Sequence, residues 1–133
     1  RLAEDTLKPR DPSDPALTGR RIFAGETSWP WELTHTEAGH NRVNTGYMIK
    51  YLTLRLPFAL YWEMYNNEVT PDGRQRGFWL IDSNNHKWRL WYTIKSLYDT
   101  GREFVRAYKA EHGVLPPHEV WCDFAIGFLG RRI

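Results

Sequence analysis

Apolar positions change their period several times along the chain, and each change predicts an element. Arg21-Ile-Phe-Ala-Gly-Glu26 and Phe58-Ala-Leu-Tyr-Trp-Glu63 are short, nearly continuous apolar runs. Runs of that length without alternation predict strands buried on both faces, the first over residues 21–25 and ending at Glu26. Between them Val43, Tyr47, Tyr51 and Leu54 recur at helical intervals, Thr34 stands three residues before Glu37, and Pro57 blocks continuation. That pattern predicts a helix over about residues 36–55 with a capping box at its start. Thr70-Pro-Asp-Gly-Arg74 has the composition of a turn, and Gly77-Phe-Trp-Leu-Ile-Asp82 reads as a third extended piece ended by Ser83-Asn-Asn-His86. Trp91, Ile94, Tyr98, Gly101, Val105 and Tyr108 then alternate steps of three and four, with Gly113, Pro116 and Pro117 as a stop. This is the clearest helical stripe in the sequence. Residues 1–8 resemble a helix end, which Pro9, Pro12 and Pro15 prevent from continuing, while residues 118–133 carry many apolar side chains in no clear period.

Strands buried on both faces and separated by amphipathic helices predict a parallel α/β architecture. The first two strands begin about 36 residues apart, near the repeat of a (β/α)8 barrel, in which eight strand-helix units fill roughly 250 residues. The expected fold is therefore the C-terminal part of a (β/α)8 TIM barrel, incomplete in this chain. Residues 1–113 form the barrel portion and residues 114–133 a C-terminal tail that docks on something apolar.

Composition adds one unusual quantity. Seven Trp, seven Tyr and six Phe supply flat apolar faces, suited to a heavy core or to stacking on ring-shaped ligands. Charges of both signs are interspersed and the net charge is only +2, which argues against nucleic acid as a partner and against a basic single-strand binder. The single Cys122 leaves no zinc cluster, His35 and His40 are five apart where two ligands on one helical face need four, and no metal or cofactor is expected. No apolar run is long enough for a membrane span, so no membrane partner is expected. The sequence starts at Arg1, so any signal peptide is expected upstream and the compartment stays open.

In a barrel the site lies at the C-terminal ends of the strands, which directs attention to the polar residues after each apolar run. These are Glu26, Ser28 and Trp29, then Trp62, Glu63, Tyr65, Asn66, Asn67 and Glu68. The segments Phe23-Ala-Gly-Glu26-Thr-Ser-Trp-Pro30, Leu60-Tyr-Trp62-Glu-Met-Tyr-Asn-Asn-Glu68 and Gly77-Phe-Trp-Leu-Ile-Asp82 together resemble strands seven and eight of clan A glycoside hydrolases, in particular the cellulase-like and xylosidase-like members. The resemblance covers about residues 1–113.

It implies that Glu26 is the nucleophile of a retaining mechanism and that Trp62 floors the sugar subsite. The general acid/base of that clan is a Glu following an Asn at the end of strand four, which would precede Arg1, so the chain is expected to be inactive alone. Retaining chemistry places the two carboxyls about 5–5.5 Å apart across the anomeric carbon. Trp29 offers a second aromatic face, and Tyr65, Asn66, Asn67 and Glu63 could hydrogen-bond hydroxyls of an oligosaccharide or polysaccharide. Structural alternatives stand beside these roles: Glu63 and Glu68 can pair with Arg74 or Arg76, and Trp29 and Trp31 can anchor their loop around Pro30. A non-catalytic carbohydrate-binding domain using exposed Trp residues is the alternative for the whole chain. Such domains are usually β-sandwiches.

Overall fold

The computed structural model describes residues 22–65 and 68–133. The helix end and proline loop expected in residues 1–20, and Asn66 and Asn67, lie outside the described residues. The chain is mixed α/β. In order come β1 (Ala24–Thr27), α1 (Trp31–Thr34), α2 (Glu37–Thr53), β2 (Ala59–Tyr61), α3 (Arg89–His112) and α4 (His118–Gly130). The two strands pair in parallel, with Ala24 opposite Ala59 and Thr27 opposite Tyr61. Two strands do not make a barrel, and the described residues do not form two packed antiparallel sheets either.

Both strands depart from the expectation of burial on two faces: Phe23, Phe58 and Leu60 are about half exposed. The reason is one-sided cover. Tyr61 packs on the core together with Met48 and Ile94, whereas Phe23 and Phe58 stack on each other with ring centroids 4.5 Å apart and stay half exposed. The third extended piece is buried, and Leu80, Ile81 and Leu90 form a core cluster with Met48, Tyr61, Trp91 and Ile94 packed against it; Cys122, Ala125, Phe128 and Leu129 of α4 are buried as well. That piece is not a strand, making only single bridges from Ile81 to Tyr65 and to Lys87.

Helix α2 falls where the periodicity places it but turns the other way. Tyr47 and Leu54 of the apolar stripe are exposed, while His40, Asn41, Asn44 and Thr45 are buried. The two asparagines are buried because they clamp backbone and a neighbouring helix: Asn44 takes the Trp29 N–H on Oδ1 at 2.7 Å and donates to the Trp29 carbonyl at 3.1 Å, and Asn41 accepts from the Thr93 hydroxyl at 2.7 Å, whereas the side chains of His40 and Thr45 are buried without a hydrogen-bond partner. The cap is Thr36, whose hydroxyl accepts from the Gly39 N–H at 2.9 Å; Thr34 ends α1 instead.

Helix α3 lies where its stripe places it, although Tyr98 of the stripe is exposed and the buried residues are Leu90, Thr93 and Gly101, and it ends as expected on Gly113, left-handed at φ 74°, whose N–H returns to the Lys109 carbonyl. Its N-cap, Trp88, has no capping side chain, and Glu37 of α2 substitutes by accepting the Arg89 N–H at 3.1 Å. Helix α4 went unread because Val120, Trp121, Phe124, Ala125, Ile126, Phe128 and Leu129 surround its axis, leaving no single apolar stripe. It packs against α2 and α3, stacking Phe124 on Phe104 at 4.2 Å, and Asp123 pairs with Arg55 at 2.6 Å.

Gly101 makes room for α4. A Cβ there would fall inside the Trp121 indole, 2.9 Å from Cζ3. Alanine at an exposed helix position gains about 1 kcal/mol over glycine, but overpacking typically costs about 1–3 kcal/mol. We expect Gly101→Ala to destabilise by about 1 kcal/mol net in urea unfolding; a rise in stability would mean that Trp121 is not seated against the glycine.

Candidate functional site

Parallel pairing brings the C-terminal ends of both strands to one edge of the sheet. The Trp62 N–H donates to the carbonyl of Thr27, the residue after Glu26, at 3.2 Å. Glu26 and Trp62 therefore stand at the same end of neighbouring strands. Between the two register pairs β1 has two residues, Gly25 and Glu26, where β2 has only Leu60. This irregularity sits at the candidate nucleophile, and bulges of this kind re-aim a side chain. Glu26 lies within the strand instead of just beyond it, and its carboxylate is exposed with no hydrogen bond or ion pair among the described residues.

Glu26 borders a cavity of about 220 Å³, together with Thr27, Ser28, Trp29, Asn44, Tyr47, Met48, Tyr51 and Tyr61. Trp29 stacks on Tyr47 at 5.9 Å, Tyr47 stacks on Tyr51 at 6.3 Å, and the Asn44 clamp fixes the backbone of Trp29. Tyr61 donates its hydroxyl to the Phe78 carbonyl at 3.0 Å; burial, then the Glu63 carboxylate, pushes its phenol well above the usual range. The cavity thus has aromatic walls, one carboxylate and an amide.

The residues expected after β2 are dispersed. Trp62 does not line the Glu26 cavity; its indole N–H is held by Glu68 at 3.0 Å, and Glu68 pairs with Arg76 at 3.5 Å. Pairing of Glu68 with Arg76 is the structural alternative read from the sequence. Glu63 is buried, its N–H donating to the Phe78 carbonyl at 3.2 Å and its carbonyl accepting from Leu80, and the Trp62–Glu63 peptide bond is cis. Tyr65 is exposed, and its backbone bridges to Ile81. Of the candidates, the structure gathers Glu26 and Trp29 around one cavity and sets Trp62, Glu63 and Tyr65 beyond it.

Three features escaped the sequence. Trp31, Trp79 and Trp88 meet at near right angles, with Trp88 6.1 Å from Trp31 and 6.0 Å from Trp79, although residues 31, 79 and 88 share no period. Gly77 permits that meeting: it is left-handed at φ 81°, its carbonyl accepts the Trp31 N–H at 2.8 Å, and a Cβ on it would lie 2.6 Å from Trp31 Cβ. His40 is buried against Trp88, whereas His35 is exposed, so the two imidazoles do not share a ligand site. No group of three or more His, Cys, Asp or Glu able to hold a metal occurs among the described residues, and none of their helices is long and apolar enough to cross a membrane. Comparison of the chain with models of known protein families, with characterised proteins and with solved structures returned no match.

Proposed function

We propose that this chain is the C-terminal portion of a retaining (β/α)8-barrel glycoside hydrolase, in which β1 and β2 are strands seven and eight and Glu26 is the nucleophile. The observation that carries the reading is the position of Glu26. It stands at the C-terminal end of one of two adjacent parallel strands, beside an aromatic-walled cavity, with Trp62 following the neighbouring strand. That is where barrel enzymes keep their chemistry. The solvent-open face with Phe23, Phe58 and Leu60 is then the face that the preceding strands of the barrel cover.

In the proposed reaction a Glu26 carboxylate oxygen attacks the anomeric carbon of an oligosaccharide or polysaccharide. The glycosidic bond breaks as its oxygen takes a proton from a second carboxyl, supplied by the N-terminal part of the barrel. Water, deprotonated by that same group, then displaces Glu26 from the glycosyl-enzyme ester. Trp29 gives the sugar a flat apolar wall. The exposure of Glu26 suits a group that awaits its opposing half.

The direct test is trapping. The reading frame extended upstream is expected to carry an Asn-Glu pair after a strand. The protein expressed from it, treated with an activated 2-deoxy-2-fluoro-glycoside, should form a stable ester that peptide mapping locates on Glu26. An ester on any other carboxylate would remove Glu26 from the nucleophile role.

A further inference from the structure

We propose that the cleft walled by Trp31, Trp79 and Trp88 binds a sugar ring of a neutral oligosaccharide, separately from the Glu26 cavity. The cleft encloses about 400 Å³ and shares no lining residue with that cavity. Its rim carries Glu32, Arg74 and Gln75.

The chemistry selects the ligand class. Indoles set at 85° and 86° to one another make a corner of flat apolar faces, which suits the C–H faces of a pyranose. A corner of indoles also suits an organic cation, but the guanidinium of Arg74, whose Nε pairs with Asp72 at 2.7 Å, stands at the rim and opposes one here. A bound anion would meet the carboxylate of Glu32, which has no partner among the described residues. One acid, one base and one amide around apolar walls fit an uncharged ligand with many hydroxyls, which can both donate and accept.

The walls are set in place beforehand. Gly77 pins the backbone of Trp31, and Asp82 accepts the Trp88 indole N–H at 3.2 Å. Little ordering is then left for the ligand to impose.

The cleft needs neither Glu26 nor a proton donor, so its test is independent of the proposed hydrolysis. The 133-residue chain with ¹⁵N-labelled tryptophan is titrated with cellohexaose, xylohexaose and mannohexaose while the indole N–H resonances are followed. At least one hexaose should shift Trp31, Trp79 and Trp88, equally in Glu26→Gln, and Trp31→Ala should weaken the affinity about tenfold or more. Should Trp31→Ala lose its folded spectrum, the rim double variant Glu32→Gln/Gln75→Ala takes its place with the same expected weakening. The proposal is overturned if no hexaose shifts the three indoles or if the response is confined to Trp29. Undiminished affinity in the cleft variant, or a response to tetramethylammonium in place of the sugars, overturns it too.

Discussion

On the proposed reading, Glu26→Gln, made in a protein that carries the whole barrel, should lower kcat on an aryl β-glycoside by about 10³-fold or more while leaving substrate binding nearly intact. The amide keeps the size of the side chain but cannot form the ester, so the loss falls on the chemical step. The stereochemistry of rescue makes the test specific. In Glu26→Ala, azide can enter the vacated space and displace the leaving group once, giving a glycosyl azide of inverted configuration. Were Glu26 the acid/base, azide would instead react with an intact glycosyl-enzyme and retain the configuration. A retained product, or turnover insensitive to both substitutions, would end the assignment. The 133-residue chain alone should hydrolyse negligibly, since its exposed carboxylate faces no described acid.

How much of this was legible in the sequence depended on whether the signal was local. Helix α3 was legible as an element because its stripe and its glycine stop reside in one segment, though Tyr98 of that stripe is exposed and Leu90 and Thr93 outside it are buried. The strand cores at Ala24 and Ala59 were legible as short apolar runs, but their exposure was not, because burial depends on what covers a sheet and no local pattern records that. Helix α2 was placed correctly and faced wrongly. Its apolar stripe suggested a core face, yet Asn41 and Asn44 are buried for the hydrogen bonds they exchange with residues outside the helix, Asn41 donating to the Arg132 carbonyl and accepting from Thr93, and Asn44 donating to the Trp29 carbonyl. At the site, the strand-end rule found Glu26 and Trp29. It could not foresee that the Trp62 indole is drawn to Glu68, or that the distant residues Trp31, Trp79 and Trp88 form a cleft. Each of those outcomes is decided by tertiary approach.

His40 should make the fold sensitive to mild acid. Burial, only partly offset by the Glu37 carboxylate, pushes its imidazole down from 6.5 to about 4. The ring is 1% exposed, packs edge-on against Trp88 at 5.9 Å, and neither nitrogen has a hydrogen-bond partner. The folded state therefore holds a neutral imidazole. Above pH 6.5 the unfolded chain is neutral there too, and the full stability is present. Between 6.5 and about 4 the unfolded chain takes up a proton that the folded chain refuses, so stability falls with pH across that window. The difference of roughly two and a half units corresponds to up to about 3 kcal/mol, a large share of the roughly 5–15 kcal/mol that holds a typical domain. Asp82 acts mainly below this window: burial raises its carboxyl, but hydrogen bonds from the Trp88 indole and the His86 and Asn84 amides outweigh that and keep it below its ordinary value. Urea unfolding at pH 7 and pH 4.5 should thus show a much smaller loss in His40→Phe, which keeps an aromatic edge against Trp88 and leaves no nitrogen to protonate. Equal losses in the two proteins would place the acid sensitivity elsewhere.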